Sequence, residues 1–98
     1  MRLDYHPAVK ADFNQAVDYY EAAGAHLADR FEAEFYRAIA AIKSAPRRFP
    51  FYLRSTTFRR VRLKSFPFVV LFRERVGGVR VFVLKHEKRH PRLGLSRR

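Results

Sequence analysis

Apolar positions recur at two different spacings along the chain, and the change falls near its middle. Val9, Phe13, Ala16, Val17 and Tyr20 return every three or four residues, with Lys10, Asp12, Asp18 and Glu21 between them. That spacing predicts an amphipathic helix. Gly24 interrupts it, and a second helical stripe follows through Leu27, Phe31, Phe35, Ala38, Ile39 and Ile42, closed by Pro46. Pro7 suits a first helical position, because its φ is preset and it has no amide hydrogen to leave unpaired. The pair predicts an αα-hairpin whose wet faces are mixed or acidic.

Beyond residue 58 the period becomes two. Arg59–Leu63 alternates basic and apolar residues, and the β-branched and aromatic runs Phe68–Arg75 and Val79–His86 follow it, so that three strands are predicted. The opening MRLDY predicts another, and residues 46–58 a connecting loop. Gly77-Gly78 between two such runs predicts a two-residue hairpin turn. The expected order is β-α-α-β-β-β, an α+β domain with the two-helix hairpin on one face of a small, mainly antiparallel sheet. One domain over residues 1–98 is expected, with 91–98 an irregular basic tail.

A Gly77-Gly78 turn sets Arg75 opposite Arg80, a like-charge pair that destabilises a sheet. Alternation then assigns Val70, Phe72, Glu74, Val76, Val79, Val81, Val83 and Lys85 to the helix-facing side. Val69, Leu71, Arg73, Arg75, Arg80, Phe82, Leu84 and His86 fall on the other. Arg60 and Arg62 join that second, open side if Val61 and Leu63 join the core. Guanidiniums around an aromatic platform suit a phosphodiester chain, and equally an acidic peptide.

Charge sharpens this picture. The chain of 98 residues carries a formal charge of +12. Residues 1–45 hold five Lys or Arg against seven Asp or Glu, whereas residues 46–98 hold sixteen against two. The C-terminal half is therefore expected to meet an anionic partner. With no Cys, thiol and disulfide chemistry are excluded. No apolar run suits a leader or a membrane span, so a cytoplasmic protein without membrane contact is expected.

His86-Glu87-Lys88-Arg89-His90 fits the H-E-x-x-H zinc-hydrolase pattern, which needs a helix to align both histidines. Here it begins at a strand end and Pro91 follows it, so no metal is assigned. No glycine-rich phosphate loop, nucleophile elbow or carboxylate pair is present, and no cofactor is expected. On the basic face His86 is the candidate general base, able to take a ribose 2′-hydroxyl proton while arginine stabilises phosphorane charge. It could equally contact phosphate or cap the strand.

The initial strand, the two-helix hairpin and the block RRVRLKSFPFVVLFRERVGGVRVFVLKHEKRHP, with its FP-aromatic strand start and H-x-x-R-x-P ending, resemble the RelE/ParE superfamily of toxins. These belong to bacterial type II toxin–antitoxin modules, including those that act in plasmid stabilization. The resemblance implies a growth-inhibiting toxin neutralised by a cognate acidic antitoxin. RelE-like members cleave mRNA in the ribosomal A site. On that model the catalytic residues are His86, Arg62 and Arg89, with Arg60, Arg62, Arg73, Arg75, Arg80 and Lys88 binding nucleic acid. Two positions depart from RelE: its early-strand arginine falls at Val69, and its late tyrosine has no counterpart after Pro91. ParE-like members poison DNA gyrase and lack the nuclease residues. The basic sheet tilts the sequence toward an endoribonuclease, with a gyrase inhibitor as the alternative and a non-catalytic RNA-binding module as a third class. In the toxin classes an apolar antitoxin helix would seat against Leu27, Phe31 or Phe35.

Overall fold

The computed structural model describes residues 2–98. Its elements run β1 (Arg2–Tyr5), α1 (Val9–Ala23), α2 (Ala25–Ser44), a single 3-10 turn (Pro46–Arg48), β2 (Arg59–Arg62), β3 (Phe68–Arg75) and β4 (Gly78–His86). The four strands make one sheet in the order β1-β4-β3-β2, with β1 parallel to β4 and the other pairs antiparallel. This is the expected β-α-α-β-β-β arrangement, with both helices on one sheet face. Among the described residues no helix is long and apolar enough to cross a membrane.

The helix stripes bury as their spacing dictates. Phe31, Phe35, Ile39 and Ile42 of α2 meet Val61, Phe68, Val70, Phe72, Val79 and Val81 of the sheet. Aromatic edges fill the wide end of this core: Phe31 lies 5.0 Å from Phe68 and 5.3 Å from Phe66, and Tyr20 lies 4.8 Å from Phe66. Tilted and edge-on ring pairs of this kind add to their area burial. Gly24 alone separates the two helices, so they double back tightly. Pro7 is not the first helical residue; it sits in a turn before Val9, where His6 Nδ1 accepts the Ala8 N–H at 3.0 Å. The imidazole supplies the acceptor that the helix start needs.

Two corrections follow from the β3–β4 register. The hairpin loop is Val76-Gly77, not Gly77-Gly78, so Arg75 faces Gly78 and Arg80 faces Arg73. Gly77 takes the left-handed φ of 81°, as a tight turn favours. Gly78 instead serves a close approach: a Cβ there would stand 2.0 Å from the Arg2 carbonyl oxygen of β1. Two adjacent glycines thus have separate duties, and only one belongs to the turn.

The second correction is a bulge. Val81 pairs with Phe72 and Val83 pairs with Leu71, leaving Phe82 as the extra residue. One extra residue shifts the alternation beyond it. Val83 therefore turns away from the helices with Phe82, Leu71, Val69 and Phe58, while Leu84 joins the helix-side core. Lys85 moves to the far face and His86 to the helix face, opposite to the sequence expectation. Nor is the far face open over its centre, because Tyr52 and Leu95 pack on it.

The like-charge pair has an internal counterweight. Arg80 Nε donates to Asp4 Oδ1 at 2.8 Å, while the Arg73 guanidinium lies 5.0 Å from the Phe82 ring centroid and 5.7 Å from that of Phe58. The Arg80 hydrogen bond holds the Asp4 carboxyl below its ordinary range, against a smaller opposing effect of burial. Glu34 is also lowered. Burial pushes its carboxyl up, but hydrogen bonds from Ser65 and the charge of Arg37 outweigh that. Carboxyls depressed on folding stabilise fully above their unfolded pKa and lose that contribution as pH falls through the folded value. Asp4→Asn should lower stability by roughly 0.5–1 kcal/mol at neutral pH, the scale of a partly exposed ion pair. Urea unfolding should show this loss shrinking in acid, and a loss independent of pH would remove Asp4 as the counterweight.

Candidate functional site

Far-face side chains form a basic rim around an apolar centre. Arg60 stands across from Leu71 and Arg62 from Val69, so both share the face of Arg73 and Arg80. Arg75 lies exposed near the hairpin tip. Of the six residues expected to bind nucleic acid, five therefore gather on this face. Their charges are partly committed: Arg80 to Asp4, Arg62 to Glu87 and Arg73 to aromatic rings. Lys88 sits in the turn after β4, where its N–H donates to His86 Nδ1 at 3.0 Å.

The proposed catalytic trio divides. Arg62 is on the far face, whereas His86 packs edge-on against Phe68 at 5.3 Å on the helix side. Arg89 accompanies His86 in a depression between α1 and the C-terminal segment, lined also by Asp12, Gln15, Tyr19 and Arg97. The sheet stands between the histidine and Arg60, Arg73 and Arg80, whereas Arg62 reaches Glu87 next to it. In the H-E-x-x-H stretch β4 ends at His86 and a turn follows, so no helix aligns the two imidazoles. His90 Nδ1 accepts the Arg92 N–H at 3.0 Å, as His86 Nδ1 accepts that of Lys88.

Of the expected antitoxin anchors, Phe31 and Phe35 are interior, 0% and 3% exposed, and so cannot take a partner's side chain. The helical stripe that marked them belongs to the chain's own core. Leu27 is half-buried, and the aromatic rings that the helices do present to solvent are Tyr19 and Tyr36.

Sequence reasoning missed the group that fixes the C-terminal segment. Lys85 is buried on the far face, and its Nζ donates to the carbonyls of His90, Pro91 and Leu93 at 3.2, 2.7 and 3.0 Å. Three acceptors satisfy all three ammonium protons. Burial, then the charges of Arg89 and Arg97, push its pKa down. Nearby, β1 ends at Tyr5 and leaves part of the β4 edge unpaired. There Asp12 Oδ2 accepts the Leu84 N–H at 3.1 Å, and Arg97 Nη1 donates to the Phe82 carbonyl at 2.8 Å. Arg97 and Asp12 also pair with each other, so an ion pair takes the place of a strand. A lone lysine near the end of an apolar strand was the one available signal, and the bulge concealed which way it points.

Architecture and comparison converge on a class. The fold is that of the RelE/ParE superfamily of type II toxins. It matches a solved structure described as the chromosomal ParDE TA system from P. aeruginosa, at a TM-score of 0.78 and 16% identity, over 88% of this chain and 95% of that one. No match is found among curated protein sequences. The model of the family described as ParE toxin of type II toxin-antitoxin system, parDE, matches residues 3–91. The chain belongs to the ParE toxin family.

Lys85→Met should keep the volume but leave the Leu93 carbonyl without a donor and remove one donor each from the His90 and Pro91 carbonyls, which keep Leu93 N–H and Tyr52 O–H. We expect a loss of roughly 1–3 kcal/mol and release of residues 90–98. Limited proteolysis should then cut within that segment first, and wild-type resistance in the variant would contradict the anchoring role.

Proposed function

We propose that this toxin arrests growth in the cytoplasm as a non-nuclease poison of DNA gyrase, and that an acidic antitoxin neutralises it. One observation carries the choice of target: the sheet separates His86 and Arg89 from the basic cluster of Arg60, Arg73 and Arg80. Cleavage through a ribose 2′-hydroxyl needs a base and a charge-stabilising group converging on the same phosphate, within hydrogen-bond reach. Of the expected nuclease residues only Arg89 shares the depression of His86, and the far-face arginines expected to hold the RNA lie across the sheet from that base. Membership of the ParE family and the absence of a late tyrosine support the same reading.

The basic far face keeps a role without catalysis. Arg60, Arg73 and Arg75 raise the local potential and favour encounter with an anionic surface such as a protein–DNA complex, a term weakened by salt. The surplus of +12 also favours an acidic neutralising partner.

Expression without the neighbouring gene's product should cause growth arrest with SOS induction and no codon-spaced mRNA cuts. Purified chain should inhibit supercoiling by gyrase. In that assay Arg60→Ala combined with Arg73→Ala should raise the concentration needed by roughly tenfold, at about 0.5–1 kcal/mol for each charged contact. Codon-spaced cleavage with no SOS response would overturn the proposal in favour of the ribonuclease.

A further inference from the structure

The β3–β4 hairpin ends in an apolar point between two pairs of arginines. Val76 leads the two-residue loop and is fully exposed, the most exposed large hydrophobic residue among those described. Gly77 follows with no atom within 4 Å of where a Cβ would stand, so the loop projects as a slender knob. A lone exposed valine would need no explanation. Its setting does.

On the far face the register sets Arg2, Gly78 and Arg75 in one row across β1, β4 and β3. Two strand spacings, about 10 Å, separate the two arginine positions. Both arginines are exposed and make no ion pair among the described residues. Asp4, in the next row, is taken by Arg80. It senses the first row too: after the Arg80 hydrogen bond, the opposing burial and the Arg80 charge, the charges of Arg75 and Arg2 also hold its carboxyl down.

On the helix side the 3-10 turn brings Arg47 and Arg48 to the same end, around a shallow depression that Glu74 and Arg75 also line. Arg47 Nε donates to Glu74 Oε1 at 2.9 Å, but the arginine side chain is 82% exposed, so solvent screens the pair. Arg48 lies over the Phe49 ring at 5.2 Å. Four arginines thus flank the knob, and Glu74 is the one carboxylate lining the depression.

We propose that the hairpin tip binds duplex DNA, with Val76 entering the minor groove and the arginine pairs holding the phosphates on its two sides. This goes beyond inhibition of gyrase, because it gives the chain a contact with the DNA itself. Straddling selects the occupant. A groove has two phosphate rims, and a knob with cations on both faces answers both at once. Apolar side chains set into the minor groove wedge open a base step, and a narrow minor groove attracts arginine. Double-stranded RNA has a wide, shallow minor groove, which gives such a knob nothing to grip. A membrane would gain one valine, less than a stable anchor needs. A folded protein partner calls for a cluster of apolar anchors, and the tip has a single one.

The test uses the full chain and a short fluorescent DNA duplex, with anisotropy read over a salt series. Four phosphate contacts predict a slope of log K against log salt of about −3.6, and Arg2→Ala combined with Arg75→Ala should bring it to about −1.8. Val76→Ser keeps the charge and should weaken binding roughly tenfold. It should also abolish the signal of a base analogue that brightens on unstacking. Arg30→Ala combined with Arg37→Ala removes the same charge farther along α2 and should leave affinity within about twofold. Equal loss in that control, a salt slope unchanged by the tip variant, or equal binding of duplex RNA or anionic lipid vesicles would each overturn the proposal. Supercoiling assays separate it from the choice of gyrase as target. Inhibition by a chain that does not bind duplex DNA defeats the tip and spares that target. DNA binding at the tip without inhibition upholds the tip and defeats the target.

Discussion

The orientation of every side chain at the end of β4 depends on one unpaired residue, Phe82. Because a strand exposes alternate residues to opposite faces, a single insertion re-aims all that follow. Upstream of Phe82, Val79 and Val81 face the helices; downstream, Leu84 and His86 do. Phe82 and Val83 both turn to the far side, where with Leu71, Val69 and Phe58 they form a second apolar cluster. That cluster needs a cover of its own, and the chain supplies one from residues 52 and 95. The sheet is thus packed on both faces, although helices lie on only one.

The element order was readable because each helix and strand repeats its period several times. Phe31, Phe35, Ile39 and Ile42 could not lie on one side of anything except a helix. The face assignments were less secure, since they rested on the hairpin register and on unbroken alternation. Gly77-Gly78 gives a strong turn signal, yet Gly78 answers a contact with Arg2, seventy-six positions away in sequence. A bulge has no local marker when the extra residue is itself apolar, as Phe82 is. The same stripe that located the helices also misled about partners: an apolar position reads alike whether it meets the chain's own sheet or another protein, and Phe31 and Phe35 meet the sheet.

Like charges across strands ask for compensation, and part of it is internal. Asp4 offsets Arg80, Glu87 offsets Arg62, and the ring faces of Phe58 and Phe82 receive Arg73. Cation–ring contacts of this type contribute about 0.5–1 kcal/mol at exposed sites. These pairings came from residues distant in sequence: Asp4 on the first strand and Glu87 beyond the last. An arginine pair on one hairpin is therefore weak evidence for a ligand by itself. The stronger pointer is the population of cations left over once such pairings are made.

Part of that remainder, Arg30, Arg37, Arg48 and Lys64, lines the α2 side of β2, and the two edges of the sheet differ for a physical reason. Where β1 stops short, Asp12 and Arg97 fill the β4 edge, satisfying a donor and an acceptor with one ion pair. At β2 the loop satisfies only the Arg60 N–H, and the groups beyond it meet solvent. An unprotected edge invites aggregation unless its charge forbids self-pairing. Arginines on both sides of β2 meet that condition against copies of this chain.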